Sequence, residues 1–240
     1  MKNRNVEEMA AEHNIHLPGG HHQFKHLLSE HNSPQGKTLI LGTIEKQIIS
    51  KMINTFSQLN IIVDNYDSLM ELRFSIKESD SVKVRMMDFS NTDFETDSFD
   101  LIYAQGSISV PERKNILKEI KRILSPGGIC SVGEIVSLKD PVAKFVKDIW
   151  AQSGLEPLKS SAINSYYESR GFEVISEKDL SESLRDYYEK FRNIISKTGR
   201  EEKELNKKYF SRMKHESNAY LKLGGDKYIG FKSLVMRKSN

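Results

Sequence analysis

The sequence predicts an α/β protein in which helices cover both faces of a mostly parallel sheet, a three-layer sandwich. Compact apolar runs alternate with segments of helical hydrophobic spacing along most of the 240 residues, a pattern typical of successive right-handed βαβ units. The first of these runs, "LIL", stops at Gly42, and a helical pattern begins immediately after it. A short apolar run without polar alternation is typical of a strand buried on both faces.

The elements can be placed in order along the chain. Strands are predicted at 37–42, 60–67, 82–89, 99–106, 129–138, 173–180 and 228–238. Helices are predicted at 21–31, 44–56, 68–76, 111–124, 141–154 and 161–172, and within a charged stretch at 181–222. For the helix after Gly42, Thr43 is the expected N-cap. An apolar stripe from Ile44 to Phe56, including Ile53, is expected to face the core.

Residues 1–36 form a polar, histidine-rich N-terminal segment, and 37–240 form the main domain with a helical insertion at about 181–222. Six of the seven histidines lie in the first 31 residues, at positions 13, 16, 21, 22, 26 and 31. His22 and His26 are four residues apart on one helix face, a spacing that suits a transition metal. No cysteine or patterned acid completes a ligand set, so no metal site is predicted. Solvated histidines, or a lid that supplies a histidine as general base, are the other interpretations.

Composition excludes several classes of protein. The net charge of +3 gives no basis for a nucleic-acid partner. No apolar run approaches the roughly 18 residues of a membrane span. Cys130 is the single cysteine, so no disulfide within the chain is expected. These features predict a cytoplasmic protein.

Several short motifs follow one another from the third predicted strand onward. Asp88 ends that strand, "DSFDLI" opens the fourth, "LSPGG" precedes the fifth, and "GF" precedes the sixth. In this order and spacing they resemble the class I S-adenosylmethionine-dependent methyltransferases, in particular the small-molecule branch that includes quinone and sterol methyltransferases. The resemblance covers roughly 37–178 and, loosely, the last dozen residues. It implies a Rossmann-like class I methyltransferase fold with a seven-stranded sheet and chemistry at the carboxyl ends of the strands.

The resemblance also implies site residues for S-adenosylmethionine. The implied cofactor-binding residues are Gly42, Asp64, Asp88, Phe89 and Gln105. Asp64 would accept hydrogen bonds from the ribose hydroxyls, since an ionised carboxylate offers only acceptors. Asp88 would accept from the adenine amino group, with Phe89 beside the ring. Both aspartates also suit turns or helix caps.

Gln105, with the following Gly106, would line the methionine and substrate end. Glu134 could face the substrate cleft.

The loop after the first strand departs from the family pattern. The family has an acidic residue followed by a glycine-rich x-G-x-G-x-G loop, whereas this chain has Ile40 at the acidic position and Ile44 and Lys46 at the second and third glycines. Glycines at such a loop permit unusual backbone angles and close approach to a ligand. Two functions therefore stay open. One is methyl transfer to a small-molecule acceptor; the other is a cofactor-free, methyltransferase-like partner of another protein or binder of a different ligand.

Overall fold

The computed structural model describes residues 17–31, 36–76, 79, 81–198 and 207–239. His13 and His16, most of the predicted N-terminal segment, and the break within the helical insertion lie outside the described residues.

Eight strands and eight α-helices are present in the described residues. The strands are β1 (Lys37–Leu41), β2 (Gln58–Val63), β3 (Val82–Met86), β4 (Phe99–Gln105), β5 (Leu124–Ser137), β6 (Leu158–Lys159), β7 (Phe172–Asp179) and β8 (Ile229–Lys238). The helices are α1 (Gly20–Glu30), α2 (Lys46–Thr55), α3 (Tyr66–Ser75), α4 (Arg113–Ile123), α5 (Lys144–Gln152), α6 (Ile163–Glu168), α7 (Glu182–Lys197) and α8 (Lys207–Lys222).

The strands form one sheet in the order β3-β2-β1-β4-β5-β8-β7, with the short β6 paired to β5. Strands β1 to β5 pair in parallel, and β8 runs antiparallel to both of its neighbours. The mostly parallel sheet predicted from the sequence is confirmed, and β6 adds two residues to it. The strand order reverses between β1 and β4, which is where ligands bind in open α/β sheets.

The central strands are buried on both faces, as their apolar composition predicts. On β1, Leu39 and Leu41 point into a core shared with α4 and α6, while Ile40 points into a second core shared with α1, α2 and α3. The predicted helical insertion forms α7 and α8. These two helices pack with α5 in a third apolar cluster that includes Trp150 and Tyr188.

The start of α2 differs from the sequence prediction. The helix begins at Lys46, and the extended Glu45 precedes it without a side-chain cap, so Thr43 is not the N-cap. Instead, the Glu45 carboxylate accepts a hydrogen bond from the Leu17 amide at 2.8 Å, which holds the entry to α1 against this turn. Ile44 is buried as predicted, but Ile53 is 37% exposed because it lies at the edge of the apolar stripe.

Candidate functional site

A cleft of about 470 Å³ lies beyond the carboxyl ends of β2, β3 and β4. This volume is within the range of small-molecule sites. The residues that line the cleft are Asp64, Met86, Met87, Asp88, Phe89, Ser107, Val110, Glu112 and Ile116. Three of the five residues that the sequence suggested for cofactor binding, Asp64, Asp88 and Phe89, therefore share one cavity, although they come from two different strand ends.

Asp64 follows β2 directly and presents its carboxylate to solvent. The N-cap of α3 is the next residue, Asn65, whose side chain accepts a hydrogen bond from the Ser68 amide. Asn65 also donates to one oxygen of Asp64 at 2.9 Å. Asp64 is therefore not the helix cap, and its other carboxylate oxygen has no hydrogen bond within the described part of the chain.

Asp88 lies at the other side of the same cleft and closes a turn. One of its carboxylate oxygens accepts from the Ser90 amide at 2.8 Å and from the Ser90 hydroxyl at 2.7 Å. These two hydrogen bonds, the backbone one foremost, hold the pKa of Asp88 below its usual range. Phe89 is buried beside it in the sheet core. Asp88 is thus fixed as an anion at the cleft wall.

Gly42 has left-handed backbone angles, with φ of 90°, as its position before the glycine-poor loop suggested. A Cβ atom at Gly42 would lie only 2.6 Å from the Cβ of Ser107. The Ser107 hydroxyl donates to the Leu41 carbonyl at 2.7 Å, and the Gly42 amide donates to the Ile62 carbonyl at 2.8 Å. Because Gly42 has no side chain, Ser107 in the loop after β4 can pack closely against it.

Gln105 ends β4 and is almost fully buried, but it does not line the cleft. Its amide nitrogen donates to the Pro18 carbonyl at 2.9 Å, and its oxygen accepts from the Tyr103 hydroxyl at 3.0 Å. On α1, Gln23 donates to the Ala104 carbonyl at 3.0 Å. The end of β4 is thus tied to the N-terminal helix, which lies across it.

Glu134 does not face a cleft, so that expectation is wrong. Its carboxylate is fully buried and lies 2.9 Å from the Arg113 side chain. The hydroxyls of Ser109 and Tyr167 both donate to it at 2.5 Å. This buried network joins β5, α4 and α6 to the loop that carries Ser107. The sequence placed Glu134 at the end of the fifth strand, and it lies three residues before the end of β5, but sequence patterns could not show the Arg113 cation beside it.

The histidines of α1 have separate surroundings. His26 is buried, and its two ring nitrogens each lie 2.9 Å from a serine hydroxyl, of Ser233 and Ser176. Burial lowers the pKa of His26, which favours the neutral ring. His22, one helical turn away, is exposed. Among the described residues, no three histidine, cysteine or acidic side chains come together as metal ligands.

A family model for a methyltransferase domain matches residues 54–132, from the end of α2 into β5. The sterol 24-C-methyltransferase of Debaryomyces hansenii is 30% identical over 107 residues, which cover 41% of this chain and 28% of the relative. Methyltransferase GfsG of Streptomyces halstedii is 29% identical over 113 residues, covering 44% of this chain and 40% of the relative. The chain thus matches less than half of the length of these relatives.

Solved structures share the fold over nearly the whole chain. A putative sarcosine dimethylglycine methyltransferase from Galdieria sulphuraria has a TM-score of 0.74 at 17% identity, covering 90% of this chain and 84% of its own. The [4+2]-cyclase SpnF has a TM-score of 0.76 at 17% identity, covering 98% and 92%. A Haemonchus contortus phosphoethanolamine N-methyltransferase 2 in complex with S-adenosyl-L-methionine has a TM-score of 0.76 at 15% identity, covering 98% and 58%.

The sheet order, the antiparallel β8 and the cleft at the carboxyl edge define an α/β protein with the class I methyltransferase fold. Residues 54–132 match the methyltransferase-domain family model, so this part of the sequence and the fold both resemble class I S-adenosylmethionine-dependent methyltransferases. No helix in the described ranges is long and apolar enough to cross a membrane.

Sequence reasoning missed Ser107 and the two methionines that line the cleft, Met86 and Met87. Met86 is 52% exposed and lines the cleft at the end of β3. The "MMDF" stretch contained that signal, since two methionines directly precede the acidic residue of the motif.

Proposed function

We propose that this protein binds S-adenosylmethionine in the cleft beyond β2, β3 and β4 and transfers its methyl group to a small organic acceptor. The observation that carries the proposal is the convergence of Asp64 and Asp88 on one cavity of suitable size in a methyltransferase fold. The chain's own residues fit the adenosine end of the cofactor. One oxygen of Asp64 is open for the ribose hydroxyls, and Asp88 offers an ionised acceptor for the adenine amino group. Phe89 and the exposed Met86 supply apolar surface for the base.

The methionine part of the cofactor would be bound by a loop that differs from the glycine-rich loop of the family. Ser107 occupies the space next to Gly42, so the backbone there does not present the open glycine approach of the family loop. Lys46 is exposed at the start of α2 and carries the positive charge that suits the methionine carboxylate. We assign this contact to Lys46, and the main affinity to the adenosine end.

Methyl transfer requires no covalent intermediate with the protein. The cofactor supplies an activated sulfonium methyl group, so the residues of the chain mainly orient the acceptor and exclude water. Glu134 is fully buried beside Arg113 and does not line the cleft, so it is not placed to take a proton from an acceptor there. His26 has both ring nitrogens at serine hydroxyls and is held away from the cleft. Neither of these two groups is therefore proposed as the general base for the acceptor.

Calorimetric titration with S-adenosylmethionine and S-adenosylhomocysteine tests the proposal. Saturable binding at micromolar to low millimolar concentration is expected, and Asp64→Ala should weaken it. The matched control is Asp67→Ala, which removes an exposed acid three residues away, outside the cleft. If the folded protein binds neither ligand at millimolar concentration, the proposal fails.

A specific observation favours a second function, that of a cofactor-free protein whose cleft holds another ligand or helps to dock a protein partner. Ser107 covers Gly42, and Gln105 is used by the N-terminal helix, so two of the five implied cofactor residues have other roles. The same fold also occurs in a protein described as a [4+2]-cyclase. Absence of cofactor binding, together with an intact cleft, would favour this second function. The cytoplasmic location stays a prediction from composition, and the acceptor is proposed as a small molecule without further identity.

A further inference from the structure

A second cavity, of about 460 Å³, lies on the open face of the sheet at the side of β3, away from the cleft. We call it the basic groove. Its lining consists of Lys37, Gln58, Leu59, Asn60, Ser81, Lys83, Arg85 and Phe94. It shares no lining residue with the cleft beyond β2, β3 and β4.

The topology explains why this face is open. A helix connects β1 to β2 (α2) and β2 to β3 (α3). No helix is present in residues 87–98, which connect β3 to β4. The polar side chains of β2 and β3 therefore have no helix above them. The strand register places Lys37 beside Gln58 and Asn60 beside Lys83, so these side chains point to the same face.

Three of the eight lining residues are cationic and none is acidic, and the Asp100 carboxylate accepts a hydrogen bond from the Lys37 amide at 2.8 Å. Within the described residues, neither Lys37 nor Lys83 lies within ion-pair distance of an acid, and Arg85 contacts Asp93 at 3.2 Å. The Lys37 ammonium also lies 4.9 Å from the ring centre of Phe99, and Arg85 lies 4.5 Å from that of Phe94. These two rings pack edge to face at 4.7 Å. An aromatic pair thus supports two of the three cations from below.

The spacing of the cations selects the class of ligand. Lys37 and Lys83 lie on strands two apart in the sheet, and two residues apart in register. Their Cα atoms are therefore separated by on the order of 12 Å, from a strand spacing near 5 Å and a rise near 3.3 Å per residue. A single small anion would draw Lys37, Lys83 and Arg85 toward one point, away from the Phe99 and Phe94 rings that two of these cations contact. A chain of several anionic groups can bridge them, with Asn60 and Gln58 as hydrogen-bond donors.

We propose that the basic groove binds a small polyanion, such as a condensed phosphate or the polyphosphate group of a phosphorylated metabolite. The interaction is electrostatic and hydrogen-bonded, so it should weaken as salt rises. It is independent of the proposed methyl transfer, because the groove and the cleft have no residue in common.

The probe for this proposal is inorganic tripolyphosphate, titrated calorimetrically into the full-length protein at low ionic strength. Saturable binding at one site is expected. The double variant Lys37→Gln with Lys83→Gln should weaken it about tenfold or more. The matched control removes two exposed lysines elsewhere, Lys51→Gln with Lys118→Gln, and should keep the affinity within about twofold.

Two results would overturn the proposal. One is no saturable binding of tripolyphosphate at millimolar concentration by folded protein. The other is an equal loss of affinity in the groove and control variants, which would indicate attraction to the overall charge alone. Asp64→Ala should leave tripolyphosphate binding unchanged. Loss of tripolyphosphate binding and loss of S-adenosylmethionine binding can therefore be told apart, and each tests only its own proposal. Circular dichroism of each variant establishes that it is folded.

Discussion

One end of the cleft keeps the residues that the family pattern predicts, and the other end does not. At the proposed adenosine end, Asp64 and Asp88 occupy the expected strand ends and line one cavity. At the methionine end, Ile44 and Lys46 replace glycines, Ser107 fills the space beside Gly42, and Gln105 is bound to α1. The adenosine end depends on short polar side chains at strand ends. The methionine end depends on a close backbone approach, which packing from a neighbouring loop can remove.

The largest expected effect concerns the buried network that holds the loop of Ser107. Glu134→Gln removes the negative charge beside Arg113 and leaves a buried cation without its partner. We expect a loss of about 3 to 5 kcal/mol in the free energy of unfolding, measured by urea denaturation. Tyr167→Phe keeps the ion pair and removes one hydrogen bond to the buried carboxylate, so it should cost about 1.5 to 3 kcal/mol. Equal losses in the two variants would contradict the importance of the charge pair.

Gly42 tests whether Ser107 really closes the methionine end. Gly42→Ala adds a Cβ to a residue with positive φ, 2.6 Å from the Ser107 Cβ. We expect a loss of about 3 kcal/mol of unfolding free energy from the combined strain and overlap.

Gly127 is the matched control, because its φ is also positive, at 71°, but no atom lies within 4 Å of the added Cβ. Gly127→Ala should cost only about 1 to 2 kcal/mol. Adding Ser107→Gly to Gly42→Ala should recover the difference. If Gly42→Ala costs no more than Gly127→Ala, the loop after β4 does not close on Gly42 in solution.

Asp64 tests the adenosine end. Asp64→Ala removes the proposed charged acceptor of the ribose hydroxyls and should weaken S-adenosylhomocysteine binding about ten- to hundredfold by calorimetry. Unfolding free energy should change little, because the side chain is exposed and does not cap α3. An unchanged dissociation constant would refute the ribose assignment, whatever the fate of the Asp67→Ala control.

A comparison of ligands measures the two ends against each other. 5′-Methylthioadenosine keeps the adenosine part and lacks the amino-acid part. If the rebuilt methionine end contributes little, S-adenosylhomocysteine should bind within about tenfold of it in the same buffer. A far larger preference for S-adenosylhomocysteine would mean that Lys46 and its neighbours hold the amino-acid part firmly.

The smallest expected effect is on the protonation of Asp88. Its pKa is held down by Ser90, so its contribution to stability is complete above the usual aspartate pKa and is lost as pH falls through the lowered value. Ser90→Ala keeps the amide hydrogen bond and removes the hydroxyl one. The pKa of Asp88, followed by carboxyl carbon NMR, should rise toward the usual range. No change in that pKa would mean that the hydroxyl contact is absent in solution.

Much of the fold was predictable from the sequence because its signals are local. The apolar runs, the helical stripes and the turn residues placed the seven main strands and the insertion helices. Boundaries were less certain: β2 was expected to run on to Asp67, but it ends at Val63 since Asn65 caps α3. Thr43 was a reasonable cap by residue type, yet the N-cap is Glu45, two residues later, and its carboxylate accepts a hydrogen bond from the Leu17 amide.

The sequence by itself determined the parallel sheet and the positions of Asp64 and Asp88 at the ends of its strands. Both depend on signals within a few residues, namely the succession of apolar runs and helical segments and the acidic residue after an apolar run. Only the tertiary structure decided what surrounds them. The Ser107 hydroxyl meets the Leu41 carbonyl across 66 residues, and the Tyr167 hydroxyl meets Glu134 across 33. Such contacts arise when separate strands and helices pack together. For that reason the glycine-poor loop could be recognised in the sequence, but the packing of Ser107 against Gly42 could not.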